Sequence, residues 1–594
     1  MQSKLHTLLV GAACALLPVS AFAQIDFLTG VSLPNSGGEI LSFYSAGSDK
    51  IIASTFSSNT VGNVGHGVRL TQLNSNGTLS NYTVPTIDLA NTFSTTGVYS
   101  VSSVQVDNQG RDFGVATVIP GNDTNLARVD TVGKAVFFQI STGSILGSLD
   151  LGYHPDSVTM TPNGQKLLVA NEAEYVTSAA TVGGVSITQR AGSISVIDLS
   201  SVTSASDLAT KLGNSSISTT SVGFGGLDLS GIRINATNPS SVAAGDRALY
   251  VEPEYITTSN TQAFVSLQEN NAIATIDLTN NSVSVRSLGT LTQTIDNTDR
   301  KSGQSGLNRA EIAVNASATG LLMPDTITKF EKAGETYIVT ANEGDARNDA
   351  LQTANDEARV SGGRLTVVAA GFEGEGNMFG TRSISIVRAS DGAIVWDSSN
   401  GQGTDAAFKS FEDYIATNDS ATFGMDANSA FAFRPSSSGA VNNFTDGMFT
   451  DVAGTSANSD TRTDNKGPEP ESVAYASING RDYVFTAMER QGGIFMFDVT
   501  DLSNVAFVDY LNLTQQASSV GQFYLSPESL LFLSAEQNGT GKNLLLVGFE
   551  NPTNTFGGLA VLEVSAIPEP STAAALAGFG ALGLAALRRR RSSR

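Results

Sequence analysis

The chain is organised by a recurring unit of short strands, clearest at Gly467–Asp498, GPEPESVAYASINGRDYVFTAMERQGGIFMFD. Apolar runs at Ser472–Tyr475, Tyr483–Phe485 and Ile494–Phe497 are separated by Ile478-Asn479-Gly480 and by Gly492-Gly493. Asn-Gly between apolar runs favours a tight hairpin, and paired glycines mark the next turn. Glu471 precedes the first strand and Glu489 follows the second. Antiparallel pairing sets two such positions side by side at one edge of the sheet.

Similar units run through the chain. A degenerate one spans Ile40–Phe56, and a second spans Val101–Val118 and continues at Ala135–Phe138. The third comprises Pro155–Val158, Leu167–Glu172 and Ser193–Leu199; the fourth runs from Glu254 through Ala263–Glu269 to Ala272–Leu278. The fifth has Pro324–Ile327, Tyr337–Glu343, Arg382–Val387 and Ile394–Asp397. The sixth is the unit above, with Val505–Tyr510 after it, and the seventh has Pro527–Leu530, Leu544–Glu550 and Leu559–Val564. A unit of three or four strands cannot bury its own two faces, and radial stacking supplies the missing burial. The expected fold is therefore all-β, a seven-bladed β-propeller with loop insertions, against a β-helix or paired sandwiches. Polar inserts are expected at Ser200–Asn238, Gly289–Thr319, Ala346–Thr381 and Ser398–Asp464. The aromatics of the last, Phe408, Phe411, Tyr414, Phe423, Phe431 and Phe433, read as packing for an extra lobe, with a lid over one face of the disc as the alternative.

Charge narrows the company such a body keeps. The formal net charge is −22, which repels nucleic acid and anionic lipid and favours cations or cationic partners. The one cysteine, Cys14, lies in the N-terminal apolar stretch, and only His66 and His154 lie beyond it. Thiolate and multi-histidine sites are thereby set aside, leaving oxygen ligands, which suit calcium or magnesium.

Both ends carry addresses. Residues 1–23 combine Lys4, an apolar core from Leu8 to Leu17 and Ala21-Phe22-Ala23 before Gln24, the pattern of a secretory signal cut after Ala23 by signal peptidase. The propeller is expected over 24–566. In 567–594, Pro568-Glu569-Pro570 precedes the apolar Ala573–Leu587 and the basic Arg588–Arg591. That apolar stretch is shorter than a spanning helix needs, and the arginines suit a cytoplasmic tail. The order of elements resembles the PEP-CTERM sorting signal. The resemblance implies processing at the Pro568–Pro570 motif by an exosortase-type enzyme of a Gram-negative bacterium, with only transient membrane contact. It also implies delivery to the cell surface or an extracellular biofilm matrix.

The body resembles the choice-of-anchor I family through MPDTITKF and YIVTANEGDAR within 323–347, DTRTDNKGPEPESVAY at 460–475 and DYVFTAMERQGGIFMFDVTD at 482–501. The family often has Gly where Ser472 follows the KGPEPE glutamate. This resemblance covers about Gly38 to Ser565 and implies an extracytoplasmic repeat protein. It implies no settled activity, although some relatives carry alkaline-phosphatase or phytase-like labels.

No nucleophile elbow, zinc-protease helix, phosphate loop or dinucleotide fingerprint stands in a suitable context, so no catalytic residue is nominated. The candidates are acids flanking the hairpins: Asp156 with Glu172, Glu254 with Glu269, Asp325 with Glu343, Glu471 with Glu489, and Glu528 with Glu550. Propeller symmetry would gather them round one mouth of the central channel, joined by Asp345, as a cation or ligand site centred on Glu343, Glu471 and Glu489. The bland alternative is a structural clasp in which each acid accepts hydrogen bonds from the adjoining unit. Arg347, Lys466 and Arg490 neutralise these acids or, in a phosphatase, grip phosphate. Expected first is a surface or matrix propeller that binds a partner or polymer, such as an exopolysaccharide or surface protein, helped by Ca2+. A calcium-dependent phosphomonoesterase and a purely structural matrix component are the alternatives.

Overall fold

The computed structural model describes residues 23–34, 40–60, 63–93, 97–122, 127–173, 180–182, 185–187, 190–236, 238–297, 314–346, 357–359, 365–400, 408–418, 466–489, 492–513, 526–549 and 556–565. Seven antiparallel sheets form the blades of a β-propeller, each of four strands except that of blade two, where Ala127–Arg128 adds a short fifth. Blade one is Leu41–Ala46, Asp49–Thr60, Asn63–Leu73 and Leu79–Asp88, and blade two is Gly97–Val106, Phe113–Asn122, Lys134–Gln139 and Ile145–Asp150. Blade three is Pro155–Met160, Lys166–Asn171, Ser193–Asp198 and Thr219–Gly223; blade four is Ile256–Thr258, Gln262–Leu267, Ala272–Asp277 and Ser282–Ser287. Blade five is Ile327–Lys332, Glu335–Asn342, Ser383–Arg388 and Ile394–Asp397; blade six is Pro470–Ile478, Arg481–Met488, Gly493–Asp498 and Ala506–Asn512. Blade seven takes Pro527–Leu533, Leu544–Phe549 and Phe556–Ser565 from the end of the body and Gln24–Pro34 from its start. The first strand of each blade lies against the first strand of the next, and that of blade seven lies against that of blade one, which closes the ring.

The seven recurrences in the sequence are these seven blades. In blade six, Ile478 pairs with Arg481 across Asn479 and Gly480, whose φ of +52° and +77° suit the two-residue hairpin that Asn-Gly calls for. Middle strands such as Gly493–Asp498 and Leu544–Phe549 are buried along their whole length, because each sheet packs on both faces. An apolar cluster fills every blade interface. Leu168 and Ile194 meet Val265 and Ala274 between blades three and four, Tyr483 and Met496 meet Leu545 and Leu562 between six and seven, and Ile52 meets Leu546 and Leu33 between one and seven.

Three features depart from the expected layout. The strand Gln24–Pro34 has no counterpart in the sequence units, yet it pairs antiparallel with Phe556–Ser565, from Gln24 opposite Ser565 to Pro34 opposite Phe556. Ser200–Asn238 is more than a polar insert. It holds a helix, Ala205–Gly213, capped by the Ser204 side chain accepting from the Asp207 N–H at 3.2 Å, and the fourth strand of blade three. Gly289–Thr319 contains part of a two-stranded ribbon, Thr290–Asp296 with Val314–Leu321. In the last insert, Phe408 and the helix Phe411–Asn418 pack on blade six: ring centroids are 5.1 Å apart for Phe408–Phe497, 4.8 Å for Phe411–Phe495 and 4.8 Å for Tyr414–Phe507. Phe423, Phe431 and Phe433 lie outside the described residues, as do 1–22, Pro568–Pro570 and the rest of the C-terminal segment.

Candidate functional site

Four blades open with the same backbone device. His154, Met323, Glu469 and Ser526, each followed by proline, take left-handed φ of +47°, +45°, +54° and +53°. A non-glycine residue in this region costs about 1–2 kcal/mol, so its repetition marks a turn the fold imposes. In blades three, six and seven the ladder then slips between Pro155 and Val158, Pro470 and Ser472, and Pro527 and Ser529. Asp156, Glu471 and Glu528 sit within those slips, and a bulge of this kind re-aims a side chain off the ladder.

The main chain at these acids is pinned by the preceding blade. Thr117 Oγ1 donates to Asp156 O at 3.2 Å, Ser157 Oγ donates to Glu254 O, and Thr326 Oγ1 donates to Glu471 O at 2.6 Å. The inter-blade clasp thus uses the acids' carbonyl groups and leaves the carboxylates to other work. Glu343 is an exception, its Oε2 accepting from Gln268 Nε2 of blade four at 3.0 Å.

Carboxylates from adjoining blades converge in three groups whose oxygen atoms lie within 4.8 Å of one another: Glu172, Glu254 and Glu269; Asp325, Glu343 and Glu471; and Glu343, Glu469 and Glu489. Hairpin partners Glu254–Glu269 and Asp325–Glu343 are therefore together, as the strand geometry requires. Glu489 adds to the field on Glu471, and Asp156 and Glu172 both act on Glu254. Asp345 is exposed and lies 3.5 Å from Lys466 Nζ. Glu550, Arg347 and Arg490 lie outside the described residues. Glu469 and Glu252, buried and close to these groups, were not singled out by the hairpin pattern, because they stand before the prolines rather than at the strand edge.

Crowding dominates the electrostatics. Burial first, then the Glu269, Asp325, Glu172 and Asp156 charges, hold the Glu254 carboxyl well above the usual carboxylate range. Burial with Glu252 and Glu172 does the same to Glu269, burial with Glu343 and Asp156 to Asp325, and burial with Asp325 and Glu343 to Glu471. The Glu343 carboxyl is raised as well: burial outweighs Lys466, whose ammonium it accepts from directly. Lys466 stays charged. Burial opposes its ammonium, but Glu343, Glu469 at 3.6 Å and Asp345 together raise it well above the ordinary lysine range.

Beside these groups a cavity of about 260 Å³ opens, lined by residues of blades one, two, three, four and seven. Tyr99 and Tyr255 supply aromatic faces, Ser100 and Ser102 hydroxyls, and Asp156, Glu528 and His154 titratable groups. His154 Nδ1 is 2.9 Å from Glu172 Oε2, which ties the cavity wall to the first carboxylate group. Burial and the Asp325, Asp156, Glu471 and Glu528 charges push the Tyr255 phenol well up, so it stays a neutral hydrogen-bond donor.

A family model for the choice-of-anchor I domain matches residues 50–370 and 373–502, and the PEP-CTERM protein-sorting motif matches 566–591. No curated protein matches the sequence. Among solved structures, the Swd1 β-propeller domain of Myceliophteria thermophila is 8% identical, with 91% of this chain and 100% of that one covered at a TM-score of 0.38. The WD40 domain of Toxoplasma gondii coronin is 8% identical, covering 92% and 88% at 0.37. The periplasmic gluconolactonase PpgL of Pseudomonas aeruginosa is 12% identical, covering 83% and 97% at 0.28. Likenesses at this level add nothing to what the blade topology already shows. The chain belongs to the choice-of-anchor I domain family and, with its C-terminal sorting motif, is an exported, surface-associated β-propeller.

Proposed function

We propose that the protein is a surface binding module whose acidic channel mouth holds a cationic group of its partner. The cavity beside the carboxylate groups carries this reading: it pairs Tyr99 and Tyr255 with Asp156 and Glu528, and among the described residues no lysine or arginine lines it. Aromatic faces and carboxylates together suit an alkylammonium, through cation–π attraction and charge-assisted hydrogen bonds. Surface delivery by the sorting motif puts such a site where partners are met. A phosphomonoesterase needs a cationic grip on phosphate, and Lys466 is committed to Glu343, Glu469 and Asp345.

Calorimetric titration of the purified 24–565 protein tests the reading, with 1,5-diaminopentane and a lysine-rich peptide as amine probes and p-nitrophenyl phosphate as the enzymatic control. Amine binding that weakens with salt and falls about tenfold or more in Tyr255→Ala is expected. Diamine binding without peptide binding would assign the site to free amines, and the reverse to a protein partner. Absence of binding by either amine, or turnover of the phosphomonoester, would overturn the reading.

A further inference from the structure

The three carboxylate groups differ in what neutralises them. In the group of Glu343, Glu469 and Glu489, the Lys466 ammonium contacts Glu343 directly and lies 3.6 Å from Glu469. The group of Asp325, Glu343 and Glu471 shares that lysine through Glu343. In the group of Glu172, Glu254 and Glu269, neither Glu254 nor Glu269 forms an ion pair among the described residues, and Glu172 meets His154. Arg233 approaches, but its Nη1 donates to the main-chain carbonyl of Glu269 at 2.5 Å. Glu254 is only 7% exposed, and Glu254 Oε2 and Glu269 Oε2 are buried oxygens without a hydrogen-bond partner among the described residues. Buried charges normally have partners, so two unpartnered oxygens converging with a third carboxylate point to a missing cation.

We propose that Glu172, Glu254 and Glu269, drawn from blades three and four, form a calcium site. Only oxygen donors converge there, which selects a hard divalent cation. Calcium–oxygen bonds of about 2.3–2.6 Å separate opposite ligands by up to about 5 Å, a span that accommodates donors within 4.8 Å of one another. His154, 2.9 Å from Glu172 Oε2, orients that carboxylate from behind, as outer-shell groups do for metal ligands. Lys466 supplies a counter-charge in the neighbouring groups, although Asp325 Oδ2 there is also a buried oxygen without a hydrogen-bond partner among the described residues. The calcium site meets the alkylammonium cavity at His154 but does not rest on it.

Calorimetry and thermal melts of the 24–565 protein with Ca2+ and Mg2+ test the assignment, alongside Glu254→Gln, Glu269→Gln and Glu489→Gln. A single-site calcium isotherm and a calcium-dependent rise in Tm are expected for the parent and for Glu489→Gln. Both glutamines at the proposed site should weaken calcium binding about tenfold or more, since each removes a charged ligand. Each should also melt higher than the parent without calcium, a result that a misfolded variant would not give. Overturning results are no calcium response in the parent, equal affinity for magnesium, or calcium binding that survives Glu254→Gln and Glu269→Gln but is lost in Glu489→Gln. A calcium null with amine binding intact would remove this site and leave the proposed function standing.

Discussion

At the residue scale, the left-handed turns before proline are the least expected feature. The four residues at that place are His, Met, Glu and Ser, so side-chain type carries no trace of the conformation. Ser526 is the simplest probe, because it is buried and its hydroxyl has no hydrogen-bond partner among the described residues. Ser526→Gly should raise the unfolding free energy by about 0.5–1 kcal/mol, glycine's extra unfolded-state freedom offsetting part of the strain relieved. His154→Gly should not, since it also loses the contact with Glu172; urea denaturation of the two variants separates strain from bonding. The raised carboxyls make a pH prediction. Glu254, Glu269, Asp325, Glu343 and Glu471 all hold protons more tightly folded than unfolded. Their contribution to stability is then fullest below the ordinary carboxylate range and is lost as pH rises through the raised folded values. Without calcium, Tm should fall from about pH 5 to about pH 8, and saturating calcium should flatten that fall. The pairing of Glu254 with Glu269 was legible from hairpin spacing. The convergence of Glu172 on them was not, because it depends on how blade three abuts blade four.

At the element scale, periodicity and Asn-Gly chemistry made the middle strands legible, and with them the outer strands at Ile394–Asp397 and Val505–Tyr510, whereas other outer strands were not. Thr219–Gly223 is largely exposed and Gln24–Pro34 is mostly half-buried, so neither carries the continuous apolar run that marked Leu544–Phe549. The insert helix Phe411–Asn418 is pinned by a buried pair, Arg382 Nη1 to Glu412 Oε1 at 2.5 Å, with the side chains 2% and 3% exposed. Glu412 Oε2 also accepts from the Asp296 N–H at 2.9 Å, which ties the helix to the ribbon before blade five. Arg382→Met should cost about 3–5 kcal/mol by stranding the Glu412 charge, and adding Glu412→Gln should recover much of it. A double-mutant cycle in urea checks both values.

At the scale of the whole molecule, stability rests on closure. Deleting 24–34 exposes the edge of Phe556–Ser565 and the apolar seam between blades one and seven, so the shortened protein should melt lower and associate at micromolar concentration, visible by light scattering. Ending the chain at Ser565 should leave Tm unchanged, because no described strand lies beyond it. The seventh blade also decides which way the disc hangs. Its first strand starts at Pro527, at the carboxylate-bearing end, and its third strand runs parallel to the first. Ser565 therefore lies at the opposite end, level with Gln24, and the sorting segment leaves from that side. The turn at Asn479-Gly480 lies at the same end of the disc as Ser565, and the carboxylate groups lie at the other. The proposed binding site thus lies at the end of the disc opposite Ser565, the residue after which the sorting motif begins.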